Sequence, residues 1–310
     1  MSSNVSETSM DLSDKMNSMI NSNQDGTHKT KSLWLDAFNN LKQDKAALFS
    51  LFIVILYSLV AILSALGIFS ADWNKEVGPS YAAPSMDYWL GTDIFGRDVV
   101  AKVIHGTQIA MSVGLVSSMI AIPIGLTLGA VAGYFGGWID EVIVWFYTTF
   151  SSIPYIMLLM SIAFILGKGL TSVYLALGLT SWVTLCRLIR SEVMKHKNRD
   201  YVQAATAIGG GHGRKLFKHI IPNVSHIIII NTSLQFQIAI KSEVILSYLG
   251  IGVQGQPSWG TMIDDAKLEL ARGVWWQLAG ATMAMFFIVL AFNILGDALR
   301  DALDPKLKGK

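Results

Sequence analysis

The sequence predicts an all-α membrane protein with six spanning helices. Three observations carry that prediction. Of its 310 residues, 52% are hydrophobic and only 15% charged, where a soluble domain carries about 25% charged residues. Mean hydropathy is +0.46. The charges are bunched, leaving six uncharged runs of 18 to 37 residues, each long enough to cross a hydrocarbon core about 30 Å thick. Backbone polar groups in lipid must be satisfied within their own segment, so these runs read as helices. The short alternating segments of a β-barrel do not occur in the sequence.

The chain opens on a polar N-terminal tail, 1–45. Met1 to Thr30 is rich in Ser, Asn and Asp and has too few large apolar side chains to bury a core. It lacks the basic start and small-residue cleavage site of a secretory signal. Ser32 to Leu41, with Leu33, Trp34, Leu35 and Phe38, has the spacing of a short interfacial helix; an ordered lead into the first span accounts for it equally well. The first span, 46–69, and a long outer loop, 70–107, make the next unit, 46–107. A five-helix core, 108–300, follows, with spans at 108–133, 142–166, 170–189, 224–249 and 274–297. The 37-residue uncharged run between Lys102 and Asp140 is one span plus a lead-in, because it ends in the loop-like Gly133 to Gly137. Within it Gly125, Gly129 and Gly133 share a helix face where another helix can approach closely. Residues 301–310 form a C-terminal tail.

Orientation follows from the cations. Six crossings put both termini on one side. That side, with the inner loop between the fourth and fifth spans, holds 17 of the 24 lysines and arginines. Both termini are therefore expected in the cytoplasm.

Several function classes fall away. One cysteine, Cys186, allows no internal disulfide or cysteine cluster. A net charge of +2 gives no field for nucleic acid. Gly250 to Gly255 matches G-x-G-x-x-G, but it follows a membrane helix rather than a strand and reads as a turn. No P-loop, H-E-x-x-H or G-x-S-x-G motif occurs, and the six histidines show no metal-ligand spacing. The chain is thus expected to be non-catalytic and to hold no metal or cofactor. If ATP drives it, another subunit binds the nucleotide and its Mg.

The inner loop carries a pattern beyond its charge. Tyr201, Ala204, Ala205 and Ile208 fall at i, i+3, i+4 and i+7, an amphipathic stripe. A second short helix, Leu216 to Ile221, is expected to stop at Pro222. A short amphipathic helix just outside a membrane suits docking into a groove of a cytoplasmic partner.

Gln203-Ala204-Ala205, then Gly209, then Ile220-Ile221-Pro222-Asn223 resembles the cytoplasmic coupling motif of ABC-importer permeases, with Gln203 in place of the usual Glu. The resemblance implies that 200–222 seats in a cleft of an ATPase subunit. Leu90-Gly91-Thr92-Asp93 and Gly96-Arg97-Asp98 resemble the outer-loop signature of dipeptide/oligopeptide permeases. Ala132 to Asp140, Leu246 to Gly252, Pro257-Ser258-Trp259-Gly260 and Gly296 to Pro305 resemble further motifs of that family. Where the family often has Ser-Arg after the outer signature, this chain has Ala101-Lys102. The resemblance covers about 45–310. It implies a type I importer permease fold in a bacterial inner membrane. It also implies a second homologous permease, one or two P-loop ATPase subunits and an extracytoplasmic substrate-binding protein as partners.

Two further groups are expectations. Lys241 and Glu243 are ionisable residues inside the fifth span, which marks them as translocation-path candidates or as a snorkelling or structural pair. Pro257 and Trp259, in the outer segment 251–273, are candidate contacts for the binding protein, or interfacial aromatics. Two readings compete with peptide import: the same architecture moving another cargo (nickel chelate, glutathione, opine or antimicrobial peptide), and a self-contained channel or membrane enzyme.

Overall fold

The computed structural model describes residues 42, 44–69 and 72–303, and they are mostly helical. The expected interfacial helix at 32–41 and the end of the C-terminal tail lie outside the described residues. Ten helices are α1 Lys45–Ala65, α2 Val99–Phe135, α3 Gly137–Ser151, α4 Tyr155–Leu166, α5 Leu170–Thr180, α6 Trp182–Lys197, α7 Asp200–Ala207, α8 Ile221–Tyr248, α9 Trp259–Leu270 and α10 Trp276–Leu303. A helical turn at His212–Arg214 and a π-helical stretch at Lys215–Ile220 lead into α8. Four described segments are long and apolar enough to cross a membrane, or five if the bent pair α3–α4 counts as one. Because α8 carries Lys241, Glu243 and several amides, it misses that apolar threshold despite its 28 residues. The number of spans resolved by length and composition is therefore below the expected six.

α2 is the axis of the bundle. At 37 residues it is about 55 Å long, so the segment expected to be a lead-in is itself helical from Val99. It packs against α1, α5, α6, α8 and α10. Its tightest contact is with α6, and glycine is the reason. An ideal Cβ on Gly125, Gly129 or Gly133 would lie 2.7, 2.5 or 2.6 Å from the carbonyl oxygen of Trp182, Cys186 or Arg190. Three glycines four apart thus meet three backbone carbonyls four apart. The expected small-residue face is used inside the chain.

Three local departures have plain causes. The third span is broken: α3 and α4 meet at 91°, because Pro154 has no N–H to donate and stands as the N-cap of α4. Pro222 does not stop the helix expected at Leu216 to Ile221: the helical run continues from His212 through the π-helical stretch into α8. The outer segment contains a helix, α9, opened by a capping box in which Ser258 accepts from the Thr261 amide and Thr261 returns the bond.

Candidate functional site

The bundle has two built ends and a cleft between them. At one end the chain from Asn198 to Ile221 forms a compact platform. Val202 of α7 belongs to the apolar core cluster that also holds Ala130 and Tyr134 of α2, Ile189 and Val193 of α6, and Val224 of α8. Tyr201 shares a 2.7 Å hydrogen bond with His196, and Tyr134 one of 2.9 Å with His212. α7 is therefore fastened to α6 through Tyr201, and through Val202 and the π-helical stretch to the apolar cluster that α2, α6 and α8 share.

The outward side of α7 is made of Gln203, Ala204, Ala207 and Ile208, all exposed. Ile208 is 81% exposed, while Ala205 is only 4% exposed. The four-residue stripe read from the sequence therefore does not present one docking face. Tyr201 and Ala205 hold the helix down; Ala204 and Ile208 look away from the protein. The Gln203 amide donates to the carbonyl of Asn198 at 3.2 Å, a bond that a carboxylate could not make. The substitution has thus turned an outward charge into a brace for the turn before α7.

Gly209 closes the helix. Its φ is +79°, and the Gly209 and Gly210 amides donate to the Thr206 and Ala205 carbonyls at 3.0 and 2.8 Å. This is the paired C-terminal cap that needs a left-handed residue. Pro222 lies a turn beyond Lys218 at the head of α8, outside α7, and is itself exposed.

At the other end, the residues of the outer-loop signature are brought together, and they work as one fastening. Asp93 accepts from the Phe95 and Arg97 amides at 2.8 and 2.9 Å. Asp98 caps α2 by accepting from the Val100 amide. Gly91 and Gly96 have φ of +66° and +67° and lie against the Ala82 and Gly78 carbonyls, where no side chain fits. The Arg97 guanidinium stacks 4.6 Å from the centre of the Phe95 ring.

Asp93 also reaches Lys102, which sequence reasoning had noted only as a departure from the family pattern. The Lys102 ammonium donates to Asp93 at 3.0 Å and to Gln277 of α10 at 2.7 Å, and it is only 5% exposed. Asp265 of α9 lies 4.0 Å away. Glu269 of α9 is 3% exposed; burial pushes its carboxyl up to about 7, with the Lys102 charge acting the other way. One lysine thus ties the outer loop, α9 and α10 together. Removing one partner of a buried pair costs about 3–5 kcal/mol. Lys102→Met is expected to destabilise the detergent-solubilised subunit by that amount in a thermal melt. Adding Asp93→Asn should restore part of the loss, because the orphaned carboxylate goes with it.

The remaining expected residues are separated. Lys241 is exposed on α8, whereas Glu243 is fully buried, as positions two apart on a helix require. Glu243 accepts from Ser247 at 2.7 Å, and Ser247 in turn accepts from the Val253 amide; the carboxylate braces the turn after α8. Pro257 and Trp259 are both buried, so neither offers a surface to a binding protein. The Trp259 indole donates to the Val103 carbonyl at 3.2 Å and fills the space left open by Gly106.

A cleft of about 420 Å³ opens where the bent pair faces α5, α6 and α8. Pro154, Tyr155, Ser181, Arg187, Gln235 and Ile238 are among its walls. Nothing in the charge runs pointed to it; Ser151-Ser152-Ile153-Pro154 was the available signal.

Comparison with known proteins comes from most of the chain. Residues 125–309 match the family described as binding-protein-dependent transport system inner membrane component. Residues 32–84 match the N-terminal TM domain of oligopeptide transport permease C. The dipeptide transport system permease protein DppC of Alkalihalophilus pseudofirmus is 36% identical, over 89% of this chain and 91% of the relative. The oligopeptide transport system permease protein OppC of Bacillus subtilis is 34% identical, over 90% and 92%. The glutathione transport system permease protein GsiD of Pectobacterium atrosepticum is 33% identical, over 86% and 89%.

Proposed function

Because the chain belongs to the family of binding-protein-dependent transport system inner membrane components, we infer that it is the transmembrane permease subunit of an ATP-driven importer of dipeptides or oligopeptides. It works by alternating access. A binding protein delivers peptide at the face that carries the outer-loop signature. ATP and Mg are bound and turned over by partner ATPase subunits, and their closure is passed to the spanning helices through 200–222. α8 and the bent pair α3–α4 complete six spans, with both termini in the cytoplasm of a bacterial inner membrane. A second, homologous permease supplies the other half of the pathway.

One observation carries this reading: α7 is bound to the bundle core on one side and exposes Gln203, Ala204, Ala207 and Ile208 on the other. An exposed apolar residue beside a glycine cap, on a helix whose other side joins the bundle's apolar cluster, is suited to receive motion from a partner. Glutathione, itself a tripeptide, is the second cargo reading, favoured by the identity to the GsiD relative.

A tagged chain, purified in mild detergent, should bring down a second permease and one or two P-loop ATPases, identified by mass spectrometry. Recovery of this chain alone from several detergents would return the account to a self-contained membrane protein.

A further inference from the structure

The cleft at the helix break has a chemical bias that the transport reading does not supply. Its polar wall is rich in donors. Arg187 of α6 enters it with its guanidinium, donating to Ser151 at 2.8 Å and lying 4.9 Å from the centre of the Tyr147 ring. Gln235 of α8 also lines it, and its amide nitrogen is buried behind the wall with no acceptor among the described residues. Tyr155, at the start of α4, places its hydroxyl 3.5 Å from Ser181 and 3.4 Å from Ser242. Lys241, exposed one turn beyond the wall residue Ile238, stands outside the walls at the edge of the cleft.

Among the described residues, no Asp or Glu lines this cleft. The nearby acid of the bent pair, Asp140, is already engaged by Arg190 at 2.5 and 2.6 Å. A guanidinium on the wall of a membrane-length bundle, with no acid on the walls around it and a second cation one turn beyond Ile238, is costly unless an anion comes and goes. A buried amide N–H without an acceptor costs about 1–3 kcal/mol, and a turn of the Gln235 side chain toward a carbonyl or carboxylate oxygen in the cleft would satisfy it. Broken helices at the depth of the cleft are also where transporters hold substrate.

We propose that this cleft binds the free carboxylate of the transported peptide, with Arg187 and Lys241 as the attracting charges and the Gln235 amide as the orienting donor. The site rests on the peptide-import reading and adds to it a preference: a peptide ending in a carboxylate is moved faster than the same peptide ending in an amide.

The experiment uses the whole importer in proteoliposomes, with its binding protein saturated with trialanine or with trialanine amide. Saturation removes the binding protein's own preference from the comparison. Uptake of the free acid should exceed that of the amide by about tenfold or more, the scale of one charge-assisted hydrogen bond. In Gln235→Leu and in Lys241→Gln the ratio should fall toward one, and most of the loss should be in free-acid uptake. Arg187→Gln should act likewise; the other two variants keep the test decisive if its contact with Tyr147 proves necessary for folding. A wild-type ratio near one, or a ratio unchanged in Gln235→Leu and Lys241→Gln, overturns the carboxylate site while leaving peptide import standing. If the wild-type importer takes up neither peptide, the import reading itself fails.

Discussion

Ile208→Arg is expected to lower ATP-driven peptide uptake by about a hundredfold or more while leaving the subunit folded. Ile208 is 81% exposed, so the free subunit gains a solvated arginine at no packing cost. Exposed substitutions of that kind shift stability by about 0.5 kcal/mol or less. If α7 seats in an ATPase subunit, as proposed, the same position enters a dry groove in the assembled importer. An unpaired charge buried there costs about 3–5 kcal/mol, which is a factor of a hundred or more. Ala204→Arg, on the same side of α7, should behave alike. Ala205→Arg should fail differently, because Ala205 faces inward and its substitution disturbs the subunit before any partner arrives. Uptake in proteoliposomes together with a thermal melt of the purified subunit separates the two outcomes. Normal uptake by Ile208→Arg would remove α7 from the coupling path.

Gly129→Val is expected to cost about 3 kcal/mol or more, at the upper end of what overpacking does, and to leave little folded subunit to extract. The ideal Cβ position at Gly129 is 2.5 Å from the Cys186 carbonyl oxygen and 3.0 Å from the Ile189 Cβ. Neither neighbour is the tip of a flexible side chain, so relief requires α2 and α6 to part. Their separation would open the apolar cluster that anchors α7, and coupling would be lost with stability. Gly211→Ala is the matched control, because nothing lies within 4 Å of a Cβ there. Yield and melting temperature by size-exclusion chromatography decide it. A Gly129→Val subunit that melts with the wild type would contradict the close approach of these helices.

Both arguments draw on features that sequence and structure share unequally. The glycine face was legible, because residues four apart on an uncharged helix have few uses other than close packing. Uncharged runs located α1, α2 and α10, but they could not locate the break at Pro154. An uninterrupted apolar run of 26 residues between Glu141 and Lys168 has the length of one span, and only the proline divides it. α9 was missed for the opposite reason. It carries Asp264, Asp265, Lys267 and Glu269 within 12 residues, and a charged segment between spans reads as loop.

The candidate site was legible as a helix and misread as a face. At about 100° per residue, Tyr201 sits on the boundary, with Val202 and Ala205 turned toward the core and Ala204 and Ile208 turned away. A stripe read from periodicity cannot tell which of its edges the protein itself will cover. Trp259 failed in the same way. An aromatic beside a loop suggests a surface, but Gly106, in a helix distant in sequence, makes the space that buries it. Lys102 was legible only as a substitution; its bonds to Asp93 and Gln277 join residues 9 and 175 positions away, a proximity that only folding creates.

The central claim is that α7 seats against an ATPase subunit. Site-directed cross-linking tests it most directly. Cys186, the chain's one native cysteine, is buried, so single cysteines can be added without removing it. In the assembled complex, Ala204→Cys or Ile208→Cys treated with a short thiol–amine cross-linker should give a covalent adduct between this chain and the ATPase subunit. Met86→Cys, at an exposed position on the opposite end of the bundle, should give none. Absence of the adduct at both 204 and 208, or equal yield at 86, would contradict the account.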